Sequence, residues 1–262
     1  MITKVISLKR SIDRREFIRN QFLKLNLSFD FEDAIDPKSS PDEILCNFSI
    51  SNFKIRYGRE PITGEIGSIL SHYLLLKKFL QKKEQKTMMV LEDDAQIVCT
   101  KEELLSVINI FEKSNFDILI LGFTKCDNDY ENHTNIINPI LPIYNIQNKI
   151  FLGPRYFHSF CGAVGYLVNR KSAKKMSKLL PTSLLADDWE YFYKLGLNIA
   201  YSKPMIIREN WTDVSSTMSH TNKSWTYKKS NYFIISFLLN FRKRLYGLVR
   251  ILILLIKHKI KF

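Results

Sequence analysis

The chain has 262 residues, of which 45% are hydrophobic and 25% are charged. This is the composition of a globular protein long enough to bury a large core, so fibrous, collagen-like and wholly disordered classes are excluded. The formal net charge of +13 is high, and no stretch of about eighteen residues is free of charge, which argues against a membrane-spanning helix.

The first half of the chain alternates between apolar runs and amphipathic segments. In chain order, the patterns predict a strand over 2–8, a helix after Ser11, a strand over 29–34, a helix from Thr63, a strand ending at Leu91, a helix over 101–113 and a strand over 116–122. Residues 37–61 are polar and irregular, and are predicted to loop over an edge of the sheet. Strands that alternate with helices indicate an α/β fold with a mostly parallel central sheet.

The second half of the chain is less regular. Residues 124–154 are rich in Asn, Asp and Pro and predict a long loop, with room for short strands, of the kind that often carries function. After it the patterns predict a strand over 163–168, a helix over 171–180, a short helix ending at Gly196 and one or two strands over 197–207. We expect a catalytic domain over 1–215 and a separate segment over 216–262.

The C-terminal segment carries most of the charge. From Val214 to the end there are ten Lys or Arg residues and no Asp or Glu. Residues 231–262 are predicted to form a basic amphipathic helix that docks on an anionic membrane surface without spanning the membrane. The expected apolar face consists of Leu238, Phe241, Leu245, Leu248, Leu252 and Leu255. The alternative is an ordinary core or dimer helix.

Three consecutive acids, Glu92, Asp93 and Asp94, end the buried strand that precedes them. Three carboxylates at one strand end repel each other and are costly to desolvate, and a divalent cation would relieve that repulsion. The sequence therefore predicts a metal site at the carboxyl edge of the sheet, where open α/β sheets bind ligands. His220 could complete the metal shell from the far end of the chain. The alternative is a solvated turn.

A second acidic cluster contains Asp187, Asp188 and Glu190, beside Trp189. One of these carboxylates could remove a proton from an acceptor hydroxyl, or the two aspartates could cap the following helix. Trp189 could stack on a sugar or be packed in the core. After the first strand, Arg10 and its basic neighbours could hold phosphate oxygens or form a solvated helix face.

Four segments together resemble glycosyltransferase family 25, the bacterial lipooligosaccharide-type transferases. They are residues 5–15, the Gly-Glu-Ile-Gly-Ser-Ile-Leu-Ser-His run at 64–72, Leu-Glu-Asp-Asp at 91–94, and residues 162–173 with Pro181 and the Asp187-Asp188 pair. Ser68 stands where the family usually has Cys. The resemblance covers about residues 1–210 and leaves out the basic tail.

The resemblance implies a GT-A-like fold, a nucleotide-sugar donor, inversion at the anomeric carbon and a Mn²⁺ or Mg²⁺ cofactor. The donor-binding residues it implies are Ser7, Leu8, Arg10, Arg14, Gly64, Glu65, Ser71, His72, Glu92 and Asp93. Asp94 and Glu92, with His220, are the expected metal ligands. Asp188 is the expected general base, with Asp187 as the close alternative.

The expected reaction is transfer of a hexose, with galactose from UDP-galactose as first choice, to a lipooligosaccharide or related cell-surface glycan. The expected partners are a UDP-hexose, a lipid-linked oligosaccharide acceptor and an anionic membrane, with no nucleic acid. The four cysteines fit no zinc or redox pattern and predict buried free thiols in a reducing compartment. We therefore expect a cytoplasmic protein on the inner face of the cytoplasmic membrane. The alternatives are a metal-dependent phosphodiesterase or nuclease, and an inactive sugar-binding membrane adaptor.

Overall fold

The computed structural model of the chain describes residues 1–123, 128–158, 160–210 and 233–258. These residues form ten strands: β1 (Ile2–Ser7), β2 (Asp30–Asp33), β3 (Thr87–Glu92), β4 (Ala95–Ile97), β5 (Ile118–Gly122), β6 (Tyr144–Ile146), β7 (Ile150–Gly153), β8 (Gly165–Asn169), β9 (Ile199–Lys203) and β10 (Ile207–Glu209). They also form nine helices: α1 (Ile12–Lys24), α2 (Asp42–Leu45), α3 (Ile50–Tyr57), α4 (Thr63–Gln81), α5 (Lys101–Lys113), α6 (Asn128–Ile137), α7 (Arg170–Ser177), α8 (Trp189–Lys194) and α9 (Phe233–His258).

Eight strands form one sheet in the order β2-β1-β3-β8-β5-β9-β7-β6, and β4 pairs with β10 in a small second sheet. The strand β1 is parallel to β2 and β3, and β5 is parallel to β9. The strands β8 and β7 are antiparallel to both of their neighbours. Six of the eight strands therefore point the same way, which confirms the predicted α/β fold with a mostly parallel sheet.

The strand register places the two halves of the candidate site at one edge. Ser7 at the end of β1 is opposite Asp33, and Ile6 is opposite Glu92 at the end of β3. The strand β8 starts at this edge, because Gly165 is opposite Leu91 in an antiparallel pair. The edge therefore carries the ends of β1, β2 and β3 and the loop that enters β8.

Helices cover both faces of the sheet, which is why its central strands are continuous apolar runs. Along β3, Met88 and Val90 face a core cluster that also contains residues of α3, α4, α7 and α8. Met89 and Leu91 alternate with them and face the opposite cluster, formed with α1 and α5. This alternation is the two-residue period expected of a strand.

Two regions that the sequence predicted as loops contain helices. Residues 37–61 hold α2 and α3, where Ser49 accepts a hydrogen bond from the Asn52 amide, Phe53 is fully buried, and Gly58 ends α3 in a left-handed conformation. Residues 124–154 hold α6 and the hairpin strands β6 and β7. The prediction of buried thiols was also wrong for Cys46 and Cys161, which are exposed.

The predicted C-terminal helix is present as α9 and packs on the body of the protein. Leu254 and Leu255 are buried against Leu141, and Gly247 lies so close to Ile136 that a Cβ atom would be 2.3 Å from its carbonyl oxygen. Leu255, which the sequence placed on the membrane-facing side, thus faces the protein. Within the described residues, no helix has the length and hydropathy needed to cross a membrane.

Candidate functional site

Asp93 is engaged by two other side chains of the protein. The Ser7 hydroxyl donates to Asp93 Oδ2 at 2.8 Å, and Arg14 Nη1 donates to Oδ1 at 2.8 Å. Both carboxylate oxygens are therefore engaged, and the residue is buried. Ser7, Arg14 and Asp93, predicted to bind the donor, come together here and lock β1, α1 and the end of β3 to one another.

Asp94 has a different environment from its neighbour. Its Oδ1 atom is buried without a hydrogen-bond partner among the described residues, and Oδ2 lies 3.6 Å from Arg14 Nη1. Burial, with the nearby Glu92 and Glu209 carboxylates, raises the pKa of Asp94 to about 8. Glu209 was missed at the sequence level. It lies here because β10 pairs with β4, and the Asn210 amide donates to the Asp94 carbonyl at 2.8 Å.

Glu92 is the first member of a series of polar contacts that continues through His72 to Tyr166. Its Oε1 atom lies 3.3 Å from His72 Nε2, and His72 Nδ1 lies 2.9 Å from the Tyr166 hydroxyl. His72 and Tyr166 are buried. The predicted donor-site residues His72 and Glu92 are thus brought together, and Tyr166 on β8 orients the imidazole. No spacing in the sequence signalled Tyr166.

Asp187 faces the same space from the loop before α8. The Gly162 amide, at a φ of 101°, donates to Asp187 Oδ2, and the Trp189 indole donates to the Gly162 carbonyl at 3.3 Å. Burial raises the pKa of Asp187, and the Glu92 carboxylate adds to that effect. Trp189 is fully buried, so it packs in the core and is not a sugar platform.

Asp188, predicted as the base, is a helix cap. Its Oδ1 atom accepts from the Tyr191 amide at 3.1 Å, which caps α8, and its Oδ2 atom accepts from the Tyr57 hydroxyl at 2.8 Å. Both carboxylate oxygens of Asp188 are therefore engaged within the protein. The capping alternative offered by the sequence is the one that the structure shows for Asp188, and Asp187 is the acid that approaches the first cluster.

Other predicted donor-site residues support the scaffold. Glu65, next to Gly64 at the start of α4, pairs with Arg59 at 2.5 Å and accepts from the Ile62 amide at 3.0 Å. The Ser71 hydroxyl accepts from the Ile35 amide at 2.8 Å and holds the loop after β2. These contacts shape the wall of the site.

The basic residues after β1 divide between two acidic groups. Arg14 reaches Asp93 and Asp94, while Arg10 pairs with Asp36. Leu8 lies partly exposed directly after β1. Arg14 is therefore the basic residue best placed to act together with the acid cluster.

The acid cluster offers carboxylate oxygens, which are the ligands that a hard divalent cation prefers. Across the described parts of the chain, no three His, Cys, Asp or Glu side chains converge as a closed metal site, and His220 lies outside the described residues. Magnesium-type sites commonly use one or two carboxylates and complete their shell with substrate phosphates and water. The unpaired oxygen of Asp94, next to Glu92, has the chemistry of such an open site.

A sequence model of glycosyltransferase family 25 (LPS biosynthesis protein) matches residues 1–189. This range contains the polar chain from Glu92 to Tyr166 and both acidic clusters up to Trp189. The matched part ends before β10 and α9.

Several curated relatives are similar over the same part of the chain. A glycosyltransferase 25 family member of Aedes aegypti is 25% identical over 193 residues, covering 71% of this chain and 29% of that protein. Procollagen galactosyltransferase 1-B of Xenopus laevis is 26% identical over 184 residues, covering 68% of this chain and 28% of that protein. The chain therefore spans less than a third of these two proteins.

A bacterial relative is closer in length. The lipooligosaccharide biosynthesis protein lic2B of Haemophilus influenzae is 28% identical over 199 residues, covering 71% of this chain and 68% of that protein. Among solved structures, a glycosyltransferase involved in the glycosylation of the major capsid of PBCV-1 matches with a TM-score of 0.33 and 10% identity, covering 68% of this chain and 65% of that one.

Proposed function

The chain belongs to glycosyltransferase family 25, and from that premise we propose that it is an inverting, metal-dependent hexosyltransferase. The observation that carries the proposal is the meeting of two acidic groups at one sheet edge: Asp94 with Glu92, and Asp187 from the loop before α8. Family membership also removes the support for a phosphodiesterase or nuclease. Asp94 and Glu92 would hold Mn²⁺ or Mg²⁺, which when bound neutralises the charge that develops on the departing nucleoside diphosphate.

Asp187 is the residue that we assign as general base. Its Oδ2 atom accepts a hydrogen bond from the Gly162 amide, which orients the carboxylate. Burial raises the pKa of this carboxyl, and a base becomes more effective as its pKa approaches the working pH. Asp187 would take the proton from the acceptor hydroxyl as that oxygen attacks the anomeric carbon, which inverts its configuration.

The substrate class is proposed from the relatives. One is named a galactosyltransferase and another a lipooligosaccharide biosynthesis protein. We therefore take UDP-galactose as the first donor to test and a lipid-linked, lipooligosaccharide-type glycan as the acceptor. Reaction with such an acceptor would place the protein in the cytoplasm at the inner face of the cytoplasmic membrane.

The test is a thermal-shift titration of Mn²⁺ and UDP, scored together with nucleotide release. In the wild type, Mn²⁺ with UDP should raise the melting temperature more than either ligand alone, because ligands that bind the native state stabilise it. Asp94→Asn should lose this joint shift and most turnover. The exposed residue Asp42 supplies a matched control, Asp42→Asn, which should keep both.

An Asp94→Asn variant with the wild-type joint shift and full turnover would contradict the metal assignment. Metal-dependent UDP binding in the wild type without release of nucleotide from any donor would instead support the sugar-binding adaptor.

We also propose that α9 rests on an anionic membrane. The side of α9 opposite Gly247 and Leu254 is apolar and exposed, with Leu248 at 62% and Leu252 at 55%. Leu245, Val249 and Ile256 extend this stripe. The last 49 residues contain ten basic and no acidic side chains. Such a helix inserts its apolar side at the headgroup boundary, and each nearby base adds roughly 1 kcal/mol of attraction to anionic lipid.

Flotation of the full-length protein with vesicles tests the membrane proposal. The wild type should float with anionic vesicles and much less with neutral ones. The double variant Leu248→Glu, Leu252→Glu should stay in the soluble fraction. Leu105 on α5 is 44% exposed and provides the matched control, Leu105→Glu, which should float like the wild type. Equal flotation of the double variant and the wild type would contradict a membrane role for α9.

A further inference from the structure

A polar cavity lies on the side of the large sheet that contains β9 and β7. It has a volume of about 460 Å³ and is lined by Asn132, Asn135, Lys149, Phe151, Lys203 and Arg208, with Glu131 at its base. We refer to it as the Lys203 pocket. It is built from α6, β7, β10 and the end of β9. Its volume lies in the range of cavities that hold small ligands.

The pocket carries an excess of positive charge. Its acid, Glu131, is buried and already accepts hydrogen bonds from Arg208 and from the Met205 amide, each at 2.9 Å. Lys149 lies 3.7 Å from Glu103 and is 67% exposed, which is a weak surface pair. Lys203 makes no ion pair with any described residue. The charge of the two lysines is therefore left to a ligand.

The side-chain amide of Asn135 on α6 adds an oriented hydrogen-bond donor to these charges. Asn135 Oδ1 accepts a hydrogen bond from Arg155 Nη2 at 2.7 Å. Because an amide oxygen held in this way fixes the side-chain orientation, the Asn135 NH₂ group is the end left to donate. Two ammonium groups and an amide donor form a set suited to phosphate or carboxylate oxygens.

The strand β10 connects the pocket to the first acidic cluster. Arg208 is two residues before Asn210, whose amide donates to the Asp94 carbonyl at 2.8 Å. Along an extended strand two residues span about 7 Å. Both β9 and β3, which ends in the acids, point to the same sheet edge. The pocket, at the end of β9, therefore lies at the edge that also carries Glu92.

From this placement we propose that the Lys203 pocket binds an anionic substituent, a phosphate or a carboxylate, on the acceptor glycan. The proposal rests on the glycosyltransferase function above. The diphosphate of the donor belongs to the Asp94 side, where a cation would neutralise it. An anion-binding pocket on the β9 side is therefore suited to the other substrate, and it would select acidic glycans over neutral ones.

The test measures binding of three soluble sugars to the full-length protein by ligand-observed NMR titration. Glucose 6-phosphate carries a phosphate, glucuronate carries a carboxylate, and glucose is neutral. One or both anionic sugars should bind at low salt, and the tighter one identifies the source of the charge. Glucose should bind at least tenfold more weakly, because charge-assisted hydrogen bonds supply the affinity.

The double variant Lys149→Gln, Lys203→Gln should weaken binding of the anionic sugar by about tenfold or more. Lys113, an exposed lysine at the end of α5, gives the matched control Lys113→Gln, which should bind like the wild type. Equal binding of glucose and the anionic sugars, or an unchanged affinity in the double variant, would overturn the proposal.

Release of UDP from the donor into water, without acceptor, separates this proposal from the proposed function. The double variant should release UDP at the wild-type rate, since both lysines lie outside the donor side. If the double variant loses donor hydrolysis together with anion binding, the pocket is not an acceptor subsite and the proposal fails. If wild-type protein releases no nucleotide while the anionic sugars bind as expected, the enzyme proposal fails and the anion pocket stands.

Discussion

At the scale of single residues, two adjacent aspartates have opposite environments. The two oxygens of Asp188 accept hydrogen bonds from the Tyr191 amide and the Tyr57 hydroxyl. Asp187 instead accepts a hydrogen bond from the Gly162 amide and lies near the Glu92 carboxylate. A position in the chain does not tell which of two neighbouring acids faces a cleft. The tertiary contact with Tyr57, far away in the sequence, occupies Asp188, and for this reason we assign the base to Asp187, which the sequence offered as the alternative.

This difference predicts separate defects for Asp187→Ala and Asp188→Ala. Loss of a positioned base should lower the transfer rate of Asp187→Ala by about a hundred- to ten-thousand-fold with little change in donor affinity. Asp188→Ala should retain the base, Asp187, and so keep its transfer rate. It should lose about 1 kcal/mol of stability because the N-cap of α8 is missing. Steady-state kinetics and urea unfolding of both variants measure this. A rate defect confined to Asp188→Ala would reverse the assignment.

His158 provides a residue-scale prediction about pH. Its ring is buried, with Nδ1 3.0 Å from the Tyr201 hydroxyl and with Tyr193 stacked on it. Burial, and the charge of Lys257 on α9, lower the pKa of His158 to about 3. The unfolded chain binds this proton near pH 6.5. The stability due to neutral His158 is thus fully present above pH 6.5 and is lost as the pH falls toward 3.

Urea unfolding between pH 7 and pH 4 measures this loss. The contribution of a single histidine approaches roughly 1.4 kcal/mol per pH unit once the pH is well below the unfolded pKa. His158→Gln has no such proton to exclude, so its free energy of unfolding should fall less steeply with acid than that of the wild type. Parallel slopes for the two proteins would contradict the buried neutral histidine.

At the scale of elements, α4 is placed against the loop after β2 by a glycine. A Cβ atom on Gly67 would lie 2.5 Å from the Ile35 carbonyl oxygen. Ser71, one turn later on α4, accepts the Ile35 amide. The backbone of α4 therefore contacts the backbone of the loop directly, and this contact fixes the position of His72 relative to Glu92.

Gly67→Ala should push α4 away from this loop. Overpacking of this kind costs about 1–3 kcal/mol, and the shift of His72 should also weaken Mn²⁺-dependent UDP binding. Ser68 is partly exposed on the same helix and gives the control Ser68→Ala, which should retain both properties. Urea unfolding and the UDP titration decide between the variants. Wild-type stability of Gly67→Ala would show that the contact is looser than described.

The elements best predicted from sequence carry their own signals. The helix over 101–113 was predicted with the bounds observed, and there Thr100 and Glu103 form a reciprocal capping box. The helix α6 was missed because its Asn, Asp and Thr residues are weak helix formers. Its position instead depends on packing against α9, which lies more than ninety residues later in the chain. Local propensity cannot report such a contact.

At the scale of the whole molecule, the order of strands decides which residues form the site. The apolar run before Glu92 was enough to predict acids at a carboxyl edge. The pairing of β4 with β10 brings Glu209 to Asp94 and Arg208 to the Lys203 pocket. It joins segments about 110 residues apart, and neither segment carries a sequence pattern that indicates the pairing. The acid cluster was therefore predicted from the sequence, and the approach of Glu209 to it was not.

The central claim is that Asp94 and Glu92 support metal-dependent use of a nucleotide sugar. Its most direct measurement is UDP release from a panel of UDP-sugars by the full-length protein, with Mn²⁺ and then with excess chelator. We predict release that is fastest with UDP-galactose, is abolished by chelator and is largely lost in Asp94→Asn. Release that continues unchanged in chelator, or no release from any donor in the panel, would contradict the claim.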